Sequence, residues 1–153
     1  DYTVPFFLNG KEYHTEERFD IKSPVTGDVL HSCSTASSKD VTAAVESAAE
    51  AFKTWRTMTP SRRRDIFLKA AEIMESRQEE LAQNMIAETG ATAMWAGFNL
   101  HIAIDVIKDV AGRISSIEGT IPSTANEGTG AMIMKEPYGV VLAIAPWYVE
   151  SCV

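Results

Sequence analysis

The spacing of apolar residues changes twice along this chain, and that change limits its fold more than any other feature. Up to Thr35 the pattern alternates or breaks at turn residues. From Val41 to Ile117 it repeats at helical spacing, and from Ala131 onward it consists of short apolar runs. Phe6, Phe7 and Leu8 lead into Asn9-Gly10, a two-residue hairpin signal, and Lys11 to Tyr13 forms the returning strand. Residues 18–22 and 29–35 alternate as strands around the Pro- and Gly-punctuated loop Ser23-Pro24-Val25-Thr26-Gly27. Ser37 followed by Asp40 predicts a capped helix start, with Val41, Ala44, Val45, Ala48, Ala49 and Phe52 on one face. Thr59-Pro60 opens a second helix carrying Ile66, Ala70, Ile73 and Met74. Ser76 with Glu79 restarts it, and Gly90 ends it. A long third helix runs from about Thr92 to about Ile117, with Leu100, Ile104, Ile107, Ala111 and Ile114 as its stripe. Residues 131–134 and 139–145 read as short terminal strands, the second fully buried in a parallel sheet. The expectation is one α/β domain over residues 1–153, a mixed α+β arrangement of amino-terminal hairpins, three long helices and terminal β-strands.

The 153 residues suffice for one core, and 45% hydrophobic with 23% charged residues is ordinary for a globular protein. Fourteen Lys and Arg against 21 Asp and Glu give a net charge of -7, which argues against nucleic acid as a partner. Arg62-Arg63-Arg64 is the one basic run and reads as a solvated helix face. Cys33 and Cys152 lack metal-ligand spacing, so no metal site and no disulfide framework are expected. No apolar run approaches a membrane span and no leader is visible, although the first residue is Asp. The expectation is a cytoplasmic protein without membrane contact. There is no G-x-G-x-x-G fingerprint, so no cofactor is expected to bind.

A set of landmarks in fixed order resembles the aldehyde dehydrogenase superfamily: Leu8-Asn9-Gly10, Pro24-Val25-Thr26-Gly27, Ala51 to Trp55, Pro60 with Arg63, Glu88-Thr89-Gly90, and Glu136-Pro137-Tyr138-Gly139 leading to Pro146-Trp147. The stretch from Glu88 to His101 is most similar to the salicylaldehyde dehydrogenase branch, which acts on hydroxylated aromatic aldehydes. The resemblance spans Phe7 to Trp147 and implies an amino-terminal, truncated aldehyde-dehydrogenase-like domain. Where the family reads Pro-Trp-Asn, with the Asn amide at the oxyanion, this chain has Tyr148. The family's nucleophilic cysteine, its general-base glutamate and most of its dinucleotide sheet would lie beyond residue 153. The resemblance therefore implies no aldehyde oxidation by this chain alone.

It also implies that the third helix lines the substrate tunnel, where Met94, Trp95 and Phe98, with Trp147, would contact a small aromatic molecule. His101 and Asp105, one turn apart, form an acid–base candidate, and Tyr148 would add a hydroxyl donor. On an ordinary helix the same His/Asp spacing is a satisfied surface pair, and the aromatics are core. Three readings stay open. The first is a repurposed non-redox catalyst, an isomerase, cyclase or aldol-type enzyme, and it is the one favoured. The second is a pseudoenzyme or binding module, and the third an inactive fragment. Uncovered apolar helix faces and the run at residues 139–145 further predict a homo-oligomer, a two-fold dimer.

Overall fold

The computed structural model describes residues 2–145. Its amino-terminal part is β. Strands β1 (Thr3–Val4), β2 (Phe6–Leu8), β3 (Lys11–Tyr13), β4 (Arg18–Lys22) and β5 (Val29–Ser34) form two small sheets. β2 and β3 pair antiparallel across Asn9 and Gly10, whose φ values of 50° and 72° are those of the turn that matches strand twist. Phe6 lies opposite Tyr13, and their rings stack 5.7 Å apart. The second sheet has the order β1-β5-β4, with β4 antiparallel and β1 parallel to β5. The buried Ser23 organises the β4–β5 loop: its hydroxyl accepts from the N–H groups of Val25 and Thr26, at 3.3 Å each.

Four helices follow: α1 (Ser38–Trp55), α2 (Pro60–Ser76), α3 (Gln78–Thr89) and α4 (Ala93–Arg113), the last running into a 3-10 turn at Ile114–Ser116. The start of α1 is the expected capping box. Ser37 Oγ accepts from Asp40 N at 3.3 Å, and the Asp40 carboxylate accepts from Ser37 N at 2.9 Å. The Ser37 hydroxyl, donating to Asp40 Oδ2 at 2.6 Å, and after it the Ser37 N–H hold the Asp40 carboxyl below its ordinary pKa. Pro60 occupies the first turn of α2.

The expected second helix is two helices. The chain kinks at Arg77 (φ -115°, ψ 16°), and the Ser76 hydroxyl donates back to Ile73 O at 2.8 Å instead of capping a new start. Gly90 ends α3 in the left-handed region at φ 70°, and a Cβ there would meet Pro24 and Val25 at 3.3 Å. Glycine thus serves both the cap and the close approach of the β4–β5 loop. Thr92 caps α4 by accepting from Trp95 N at 3.2 Å.

The core lies where α2 and α3 meet α4. α4 buries Ala96, Leu100, Ala103, Ile104 and Ala111, α2 contributes Ala71 and α3 contributes Met85. Ala71, Ala96 and Ala111 have no exposed surface, so small side chains let the helix axes approach closely. The buried line of α2 runs through Ala71 rather than through Ile66, Ala70 and Ile73. Ile66 and Ile73 are nearly half exposed, because α4 covers only the neighbouring face.

α1 is the opposite case: it is amphipathic and buries none of its residues. Residues 139–145, expected as a buried strand, pair with no strand among the described residues. Val140 and Val141 instead lie beside Ala48 and Phe52 of α1 around an open hollow of about 420 Å³, and Leu142 and Ile144 are exposed. A strand needs a ladder partner, and no described strand flanks this segment. At residues 131–134 the expected strand shrinks to one bridge, Thr120 with Ile133. The chain exposes 11691 Å², whereas a compact protein of 16.8 kDa exposes roughly 7,700 Å².

Two substitutions separate packed from unpacked faces. Ile104→Ala, at the best-buried large side chain, should cost about 2–5 kcal/mol in urea unfolding. Val45→Ala on α1 should stay within about 0.5 kcal/mol. Equal costs at the two sites would show that α1 is packed as tightly as α4.

Candidate functional site

The outer face of α4 carries four of the residues singled out in the sequence. Met94, Phe98, His101 and Asp105 follow at helical spacing on the side away from Leu100 and Ile104. Trp95 and Phe98 stack with ring centroids 5.6 Å apart at an interplanar angle of 28°, and with Met94 they line a shallow hollow of about 220 Å³. His101 Nε2 lies 3.3 Å from Asp105 Oδ2. The two groups that spacing brings together are thus in contact, but His101 is 73% and Asp105 62% exposed. In open solvent such a pair is worth little by itself. It becomes a catalytic dyad only where another surface holds a substrate against it. Trp147, Tyr148 and Cys152 lie outside the described residues.

A second titratable pair escaped the sequence reading. His31 Nε2 on β5 contacts Glu88 Oε1 near the end of α3 at 3.1 Å, with both side chains only 18% exposed. The pair ties the three-stranded sheet to the helices at the same junction where Pro24 and Val25 lie over Gly90. Alternation marked His31 as a strand residue, and no local spacing links positions so far apart in sequence. Cys33 follows two residues later on the same strand, half-buried as a small side chain of the sheet. Burial, and after it the Glu88 charge, push its thiol above the ordinary cysteine pKa. Among the described residues no group of three or more His, Cys, Asp or Glu side chains is placed to hold a metal ion.

Because the thiolate is the reactive form, Cys33 should alkylate more slowly than a free cysteine at neutral pH, its rate rising only at higher pH. In a Cys152→Ser background, Glu88→Gln should speed the reaction, since it removes the negative charge that opposes ionisation. Iodoacetamide labelling followed by mass spectrometry reads both rates. A Cys33 rate equal to that of unfolded chain would contradict the assignment.

Comparison with known proteins gives this geometry its context. The model of the "Aldehyde dehydrogenase family" matches residues 11–149. The chain is 37% identical over 148 residues to a vanillin dehydrogenase from Pseudomonas sp. (strain HR199 / DSM 7063), covering 95% of this chain and 31% of that protein. It is 39% identical over 142 residues to a salicylaldehyde dehydrogenase from Pseudomonas putida, covering 92% and 29%. The crystal structure of a salicylaldehyde dehydrogenase from Pseudomonas putida G7, complexed with salicylaldehyde, superimposes with a TM-score of 0.84 at 33% identity, over 90% of this chain and 29% of that one. At 24% identity, an NADP-dependent glyceraldehyde-3-phosphate dehydrogenase from Bacillus halodurans C-125 shares the fold, with a TM-score of 0.92 over 99% of this chain and 33% of that one. The chain spans about 30% of the length of the relatives it matches. By sequence and by fold, the chain belongs to the aldehyde dehydrogenase family.

Proposed function

We propose that this chain supplies the amino-terminal wall of an aromatic-aldehyde dehydrogenase site and does not oxidise aldehydes by itself. The observation that carries this reading is the exposed Met94, Trp95 and Phe98 surface on a helix whose opposite face is the core. A rigid helix presenting a stacked aromatic pair suits a flat aromatic ring, which gains about 0.5–1.5 kcal/mol from such contacts beyond burial alone. Relatives named for salicylaldehyde and vanillin fit that ligand class. No dinucleotide is assigned to residues 1–153. Oxidation would need a nucleophile, a base and a cofactor surface from further polypeptide, closing over the α4 stripe. The uncovered α1 face and residues 139–145 support self-association, with a second copy of the chain as the expected partner. No described helix is long and apolar enough to cross a membrane. A cytoplasmic setting without nucleic acid belongs to the same proposal, in keeping with the net charge of -7.

A second reading rests on one observation, the His101–Asp105 contact at 3.3 Å beside Phe98. It makes the chain a non-redox acid–base catalyst, an isomerase, cyclase or aldol-type enzyme, with Tyr148 as a further donor. The exposure of the pair leaves it without the dry surroundings that such a base uses. The remaining alternative, a pseudoenzyme that only binds an aromatic metabolite, draws on the same aromatic surface.

One assay series separates these readings. The chain alone, given salicylaldehyde and NAD, should form no reduced cofactor. A chimera with this chain in place of the matching part of the Pseudomonas putida salicylaldehyde dehydrogenase should form it. In that chimera Phe98→Ala should raise KM roughly three- to tenfold with little change in kcat. An inactive but folded chimera, or one indifferent to Phe98→Ala, would contradict the wall assignment. Cofactor-free turnover of an aromatic substrate by the chain alone, abolished by His101→Ala, would establish the second reading instead.

A further inference from the structure

We propose that the Asn9-Gly10 turn is a site of spontaneous chemical modification, at which Asn9 converts to isoaspartate and breaks the register of the β2–β3 hairpin. The reaction needs only water. The Gly10 backbone nitrogen attacks Asn9 Cγ, a C–N bond forms, and the side-chain amide leaves as ammonia. Water then opens the resulting succinimide at either carbonyl, giving an aspartate or an isoaspartate whose main chain runs through the old side chain.

Position selects Asn9 among the asparagines. Asn84, Asn99 and Asn126 precede Met85, Leu100 and Glu127, whose side chains crowd the attacking nitrogen, and Asn84 and Asn99 are also held within helices. Asn9 alone precedes a glycine, and nothing lies within 4 Å of where a Cβ at Gly10 would stand. Asn9 is also the one non-glycine residue with positive φ among the described residues, a conformation that Asn and Gly tolerate and most residues do not. The turn thereby recruits the very dipeptide that is chemically weakest. The hairpin offers little protection, because its strands have three residues each and β3 is wholly exposed. Two-stranded hairpins of this kind open readily in water, and an open turn lets the Gly10 nitrogen reach Cγ.

The consequence is local and directional. An isoaspartate adds one atom to a two-residue connection, so Leu8↔Lys11 and Phe6↔Tyr13 cannot both keep their register. The Phe6–Tyr13 stack is lost with it. The new carboxylate forms at the rim of a hollow of about 480 Å³ that Leu8, Asn9 and Tyr13 share with Ser47, Glu50 and Thr54 of α1. It adds negative charge on the side of Glu50, whose existing partner is Lys53.

The test is to incubate the intact chain in mildly alkaline buffer and follow it by peptide mass spectrometry and by labelling with an isoaspartyl methyltransferase. The expected result is the mass increase of an amide-to-acid conversion at Asn9, with methyl label on the same peptide. Both signals should be lost in Asn9→Gly, which keeps a turn that accepts positive φ. Amide exchange over residues 6–13 should be faster in the converted chain than in Asn9→Gly. Absence of label at Asn9, or equal conversion at Asn84 and Asn126, would overturn the site. Unchanged exchange after conversion would overturn the loss of register.

Discussion

The packing of α4 against α2 and α3 is the contact on which the rest of this structure depends. Ala96, Leu100, Ala103, Ile104 and Ala111 repeat at helical spacing, and their small members let Ala71 and Met85 approach. The ion pair of Lys108 with Glu75, at 2.5 Å, lies at the surface of the same α2–α4 contact. It adds little energy beside the burial of the apolar face. With α4 fixed on one side, its other side is necessarily a rigid outward stripe. The positions of Met94, Trp95, Phe98 and His101 follow from the core rather than from contacts of their own.

The same logic explains what is left open. α1 is well capped and amphipathic, yet among the described residues its apolar face borders residues 139–142 and the edge of the first hairpin around open hollows. Helices of this length gain most of their stability from such a face once it is covered. These faces, with the exposed segment from Ile117 to Tyr138, contribute to a total exposed area well above that of a compact protein of this mass. A surface of this kind is suited to packing against another apolar surface.

Local chemistry could be read from the sequence, and long-range pairing could not. Asn9-Gly10, the Ser37–Asp40 box, Pro60 and Gly90 each specify a turn or cap through their own dihedral or hydrogen-bonding preference, and each appears in its expected place. The α4 stripe was equally clear because one helix carries its whole period. The break near Ser76 was marked by its spacing with Glu79, but the turn at Arg77 forms without that cap. β1 is two residues long and exists only because β5 lies beside it. Residues 139–145 have the composition of a buried strand, but composition cannot supply a partner. The His101–Asp105 contact followed from spacing, whereas its exposure depends on which surfaces surround α4. His31 and Glu88 meet only because the sheet folds onto the end of α3.

Among the described residues, the face of α1, residues 139–145 and the outer side of α4 are left uncovered in the single chain. The mass of the chain in solution, measured by light scattering across a wide concentration range, tests this most directly. Uncovered apolar faces predict association into a dimer or larger assembly as concentration rises through the micromolar range. A monomer mass at every concentration would mean that the chain covers these faces itself, and the account of an incomplete wall would be wrong.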